Sequence, residues 1–163
     1  MTKATLPEGL ETIPQECFSG CKKLESVNIP DSVTKISYGA FTNCALKEIN
    51  ISKNLTVISI PGYTFAGCPA AVTVDADNPS YSADSLGALY NKDKSLLLHC
   101  PNFEKAFTFD ISCGIEQYAF SSCSNLTDVT FSFAIKKIPF GAFRNCSSLK
   151  IPTVPDTVRM IDS

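Results

Sequence analysis

Eight cysteines and a single histidine hold most of the nucleophilic and metal-binding capacity of this 163-residue chain. A thiol becomes a catalytic nucleophile when a histidine stands within hydrogen-bond reach of it, and only His99 and Cys100 are adjacent. Both belong to the apolar run Leu96 to Cys100, which has the character of a strand. Neighbours on a strand point to opposite faces, so the two are not expected to work as a pair. His99 is expected instead as a partly exposed strand histidine. A lone thiol, Cys100 or Cys17, is the remaining enzymatic possibility. Zinc favours closely spaced cysteine pairs. Cys17-x-x-x-Cys21 is the one near pair and no second pair follows at ligand spacing, so no metal is expected. The chain has no glycine-rich phosphate loop, nucleophile elbow or paired-carboxylate motif. Its acidic residues scatter over turn positions, where a solvated face explains them. No catalytic residue and no cofactor emerge. Three glycosylation sequons begin at Asn54, Asn125 and Asn145, with Asn145 a poor acceptor beside a core cysteine; chance accounts for them in a chain rich in Ser, Thr and Asn.

Five of the cysteines keep a fixed place, and that place is the stronger signal. Cys21, Cys44, Cys68, Cys123 and Cys146 each stand three residues after a phenylalanine: Phe18, Phe41, Phe65, Phe120 and Phe143. An opening apolar position recurs ahead of them at Leu6, Ile29, Ile51, Val74, Phe109, Phe131 and Val154. The steps are 23, 22, 23, 35, 22 and 23 residues. Seven residues after most of these comes a second apolar position, at Ile13, Ile36, Ile58, Ile138 and Ile161, with Ile115 six after Phe109. A period of 20 to 29 residues is the signature of a leucine-rich-repeat solenoid. Each turn then lays one Phe and one Cys over those of the turn before. Small apolar cysteines suit such a slot. Adjacent turns about 4.8 Å apart also fall inside disulfide range, but a reduced ladder is the default.

Composition agrees with a packed interior: 44% of residues are apolar and 18% charged,. A net charge of −2 gives no electrostatic reason to expect nucleic acid as a partner,, and Lys136-Lys137 is far short of a basic patch. No stretch reaches the roughly 18 apolar residues of a membrane span, so direct membrane insertion is not expected. The opening "MTKATLPEGLETIP" lacks the apolar run of a secretory leader,.

A single domain over residues 1–163 follows, with regular turns over 6–73, a hairpin-bearing turn over 74–108, regular turns over 109–153 and a partial turn over 154–163. Each turn should contribute one short strand to a parallel sheet on one face: Val27 to Ile29, Ile49 to Ile51, Val72 to Val74, Phe107 to Phe109, Val129 to Phe131 and Pro152 to Val154. Pro30 cannot donate to a ladder and ends its strand. Short extended pieces such as Val33 to Ile36 line the opposite wall, and little helix is expected. Turn four lacks the Phe-x-x-Cys unit. Its apolar runs Leu86 to Tyr90 and Leu96 to Cys100 flank "NKDKS" and predict a β-hairpin, placed on the convex side as a projection. Ile60 and Pro61 are extra residues in turn three. Solenoids need polar caps and none is evident, which predicts either a longer parent array or weak self-association through the ends.

"IPDSVTKISYGAFTNCALKEINI", "FSSCSNLTDVTF" and the variant turn "NPSYSADSLGALYNKDKSLLLHCP" closely resemble the BspA-like class of leucine-rich repeats. The likeness covers essentially the whole chain; Pro14, Ser37 and Ser59 stand where that class usually has Gly, and Cys17 and Thr64 where it has Ala. The resemblance implies a non-enzymatic protein-binding module of the cell surface or a secreted one, with host matrix or cell-surface proteins as ligands; the cytoplasm stays open as an alternative. The candidate ligand-binding residues form an outward stripe on the parallel strands: Asn28, Asn50, Thr73, Thr108, Thr130 and Thr153, with Ser26, Glu48 and Asp128 one row away. Threonine also favours strands intrinsically. Six strands at ~4.8 Å give a face only about 25–30 Å long, less than the ~800 Å² per partner of a standard interface. Binding by this stripe alone should be weak or depend on avidity. A structural module that stacks through its ends is the alternative.

Overall fold

Triplets of alternating apolar and polar residues closed by turn residues give very short strands, and the chain has fifteen among its described residues,. The computed structural model describes residues 2–132, 134–150 and 153–162. The first turns hold β1 (Lys3–Thr5), β2 (Thr12–Ile13), β3 (Ser26–Asn28), β4 (Lys35–Ile36), β5 (Glu48–Ile51) and β6 (Val57–Ile58). A single helical turn, α1 (Pro61–Thr64), precedes β7 (Ala71–Val74). The variant turn supplies β8 (Tyr81–Ala83), β9 (Leu89–Asn91) and β10 (Leu96–His99). Beyond it lie β11 (Phe107–Ile111), β12 (Gly114–Ile115), β13 (Leu126–Phe131), β14 (Lys137–Ile138) and β15 (Met160–Ile161).

These strands coil into a β-solenoid of about seven turns with almost no helix. One wall is built from parallel pairs, β1 with β3, β5 with β7 and β11 with β13. The single expected sheet is thus delivered in three pieces. The opposite wall stacks β2, β4 and β6 in parallel, then β10 on β12 and β14 on β15. The second apolar positions stand opposite one another, Ile13 with Ile36 and Ile36 with Ile58, all buried; Ile138 pairs with Ile161, where Ile138 is half-buried and Ile161 exposed.

The ring file is present in two stacks. Phe18, Phe41 and Phe65 lie nearly parallel with centroids 5.4 and 6.1 Å apart, and Phe120 stacks on Phe143 at 5.0 Å. Burying each ring contributes on the order of 1.5–3 kcal/mol. The backbone around each Phe must bend sharply to bring it in. Two residues later, Gly20, Asn43, Gly67, Ser122 and Asn145 all adopt positive φ. Gly and Asn tolerate that conformation best, and the recurrence of Gly or Asn at four of the five positions is a signal the repeat pattern carries. In turn three the two extra residues are absorbed by a positive φ of 44° at Ile60 and by Pro61 starting α1, where its missing N–H costs nothing,.

The cysteines file beside the rings, and none is in a disulfide. Four of the thiols donate across to the preceding turn: Cys44 Sγ to the Phe18 carbonyl at 2.9 Å, Cys146 Sγ to Phe120 at 3.0 Å, Cys123 Sγ to Cys100 at 3.4 Å and Cys68 Sγ to Leu46 at 3.9 Å. Cys21, Cys146 and Phe143 are half-buried, because they lie in outer turns with fewer neighbours over them.

Three expectations need correction. The hairpin β9–β10 forms, and β8 joins it antiparallel, but it does not project. Leu89 and Leu98 pack with the core of the first turns, while Tyr90, Leu97 and Cys100 pack with that of the later turns. The inserted strands are apolar on both faces, so they are a partition inside the coil, and what is exposed is the tip, Lys92 to Ser95, and the bend at Ser85 and Leu86. Second, Phe109 does not stand opposite Phe131. Ile111 does, and Phe109 pairs with Val129, two residues out of the register that the 22-residue spacing sets. Third, of the expected strand Pro152 to Val154, Pro152 lies outside the described residues, and Thr153 and Val154 are exposed and not in a strand.

Candidate functional site

The strand wall offers the chain's exposed polar row. Asn28, Asn50, Thr73, Thr108, Thr130 and Thr153 are all exposed, as are Glu48 and Asp128, while Ser26 is half-buried. Alternation along each strand puts these outward because their neighbours, such as Ile49 and Val129, go to the core. The row runs through Thr5 opposite Asn28 and through Asn50 opposite Thr73. The Thr73 hydroxyl donates to the Asn50 side-chain oxygen at 3.2 Å, so the Asn50 amide N–H groups remain free to face a partner,.

Past the variant turn the row has a different member from the one expected. The two-residue offset places Thr108 opposite Asp128, and Asp110 takes the position opposite Thr130. Asp110 accepts from the hydroxyls of Ser132 at 2.7 Å and Thr130 at 2.8 Å. Those two hydrogen bonds hold its carboxyl below the usual carboxylate range. Reasoning from the repeat missed Asp110 because it assumed the 22-residue spacing, whereas β11 and β13 pair at an offset of 20 residues from Thr108 onward. Between β7 and β11 the row is interrupted by a hollow of about 360 Å³ lined by Lys47, Ala71, Phe103 and Glu104, among others. The wall is polar and of mixed charge, with Lys47 reaching Glu25 of the neighbouring turn at 3.2 Å.

The chemically reactive types are placed very differently. His99 is buried at 2% exposure, not partly exposed as expected. Its ring extends the Phe file, with the centroid 5.4 Å from Phe65, and fills the slot that the variant turn lacks a Phe to fill. Its Nε2 is buried with no hydrogen-bond partner. Burial lowers its pKa to about 4, the Ala70 backbone opposing the shift. Cys100 faces the other core, its Sγ towards the Pro101 carbonyl, so the pair points apart. Burial raises the Cys100 thiol well above its ordinary value, and pushes Cys44 up to about 11 and Cys68 and Cys146 up to about 12. Those thiols are protonated at neutral pH and poor nucleophiles. Cys17 is exposed. Among the described residues no three His, Cys, Asp or Glu side chains converge as a metal site would need, and no helix is long and apolar enough to cross a membrane.

Comparison with known proteins gives a consistent picture. The sequence profile of the BspA type leucine rich repeat region matches six times, over residues 1–85 and 88–163. No curated protein sequence matches. Among solved structures, the pneumococcal vaccine antigen PcpA superposes with a TM-score of 0.83 at 23% identity, over 97% of this chain and 40% of that one. A leucine rich cell surface protein from Faecalibacterium prausnitzii gives 0.78 at 29% identity, over 99% and 49%. A leucine-rich repeat protein from Eubacterium ventriosum gives 0.66 at 21%, over 99% and 56%. The chain therefore spans about half the length of each of these structures.

Proposed function

Since this chain belongs to the BspA-type leucine-rich-repeat family, we propose that it is a non-enzymatic module that recognises proteins at a cell surface, in adhesion or host interaction. The observation that carries this reading is the exposed, self-bonded polar row of the strand wall, centred on Asn50, Thr73, Asp110 and Thr130. Cross-bonding fixes these side chains before a partner arrives, which reduces the entropy cost of binding. Two further points support it. His99, Cys44, Cys68 and Cys100 are buried, His99 and Cys100 facing different cores, and the Faecalibacterium relative is itself described as a cell surface protein. The wall is small, so the affinity of one copy is weak and a longer array gains by avidity.

Immobilised extracellular matrix proteins provide the test. The wild-type chain should be retained in a pull-down, and the triple variant N50K/T73K/T130K should lose retention while keeping its circular dichroism spectrum. Retention that survives those three charges rejects the wall as the binding face.

A further inference from the structure

The variant turn supplies no corner to the ridge that carries the ring file, so turn three meets turn five there directly. The rings of Tyr63 and Tyr118 lie 5.2 Å apart, edge to face, and a Cβ on Gly62 would stand 2.4 Å from the Gln117 carbonyl oxygen. The ridge folds inward at this seam and leaves a notch of about 140 Å³. Asn43 and Tyr63 line one side, and Ser121, Ser122, Arg144 and Asn145 the other.

The lining is almost wholly polar, and its hydrogen-bonding capacity is unspent. Thr42 is the exception, its hydroxyl donating to the Tyr63 carbonyl at 2.8 Å. Among the described residues, the side chains of Asn43, Ser121, Ser122, Arg144 and Asn145 have no hydrogen-bond or ion-pair partner within the chain. Ser121 is the least exposed of them, at 8%, and it lines the notch. Polar side chains without partners in the chain leave their hydrogen-bonding capacity to whatever occupies the notch, water or a ligand. Arg144 brings the notch's one charge, and no carboxylate lines it.

We propose that this notch binds one acidic sugar residue, a pyranose bearing a carboxylate, such as the end of a glycan chain. The donor set makes the choice. A guanidinium fork matches a carboxylate bidentately, whereas a neutral sugar leaves it unmatched. Two amides and two hydroxyls offer acceptors as well as donors, and a bare oxoanion has no hydrogens to give them. A sugar acid presents both. The site is separate from the strand wall, so it stands or falls independently of the protein-recognition role.

The experiment uses the 163-residue chain with free D-glucuronate and free N-acetylneuraminate, followed by saturation-transfer NMR and calorimetry. At least one of the two should saturate with a dissociation constant on the order of 1 mM. Glucose and acetate should bind at least about tenfold more weakly. Arg144 is exposed and its side chain makes no bond within the described residues, so R144Q should weaken sugar-acid binding by about tenfold or more with an unchanged melt,. T130K, on the strand wall, should leave it unchanged. The proposal is overturned if neither sugar acid saturates, if acetate binds as well as both, or if R144Q binds as the wild type does.

Discussion

Acidification should loosen this solenoid through one side chain. His99 sits in the ring file against Phe65 with its Nε2 unpartnered, and its pKa is lowered to about 4 in the folded chain. In the unfolded chain the same group titrates near its ordinary value of about 6.5. The folded state therefore binds this proton less well than the unfolded one. The stability involved is fully present above about pH 6.5 and drains away as pH falls towards 4. Linkage across that gap gives a loss of about 2 kcal/mol by pH 5 and about 3 kcal/mol by pH 4. For a chain of this size, 2 kcal/mol corresponds to an apparent Tm lower by roughly 4–8 °C. The measurement is a thermal melt by circular dichroism at pH 7.5 and pH 5, on the wild type and on H99F. Phenylalanine restores the ring the other turns carry and removes both the titrating group and the unpartnered nitrogen. Asp93 and Asp110, whose carboxyls are lowered by their hydroxyl and amide partners, titrate alike in both proteins and cancel. The reasoning fails if H99F loses as much Tm on acidification as the wild type.

Two other outcomes follow from the same packing. With a thiol reagent near pH 8, Cys17 should label quickly in the folded chain, while Cys44, Cys68 and Cys146 stay unlabelled until denaturant is added; several fast thiols would contradict the buried ladder,. Gly62→Ala would place a methyl 2.4 Å from the Gln117 oxygen and 2.6 Å from the Tyr118 carbonyl carbon, all backbone that cannot swing aside. A loss of about 1–3 kcal/mol is expected in urea titration, and a stabilised variant, the usual result of Gly→Ala in a helix, would mean the seam is looser than described.

The repeat made most of the architecture readable in advance. Phe18, Phe41 and Phe65 had to coincide once the period was seen, and so did Ile13, Ile36 and Ile58, because identical spacings put identical residues on one line. Reading failed where the spacing itself changed. The variant turn altered the path length, so its histidine took a ring's place and its hairpin lay inside the coil, neither of which periodicity can encode. The pairing of β11 with β13 runs two residues out of the 22-residue spacing, so Asp110 and not Thr108 stands opposite Thr130, since a slip in pairing exchanges every partner along the strand,. Both failures concern contacts between turns. Such contacts depend on where two distant segments end up, and no local pattern states that.

The inserted strands have a mechanical meaning as well. They divide what would be one continuous filling into two chambers, each closed by its own turns and sharing a single internal bulkhead. Stress applied at one end of the coil is borne first by the chamber it reaches, because in a linear stack each layer answers only to its neighbours. A coil pulled at one end therefore gives way in part, surrendering one chamber while the other stays closed.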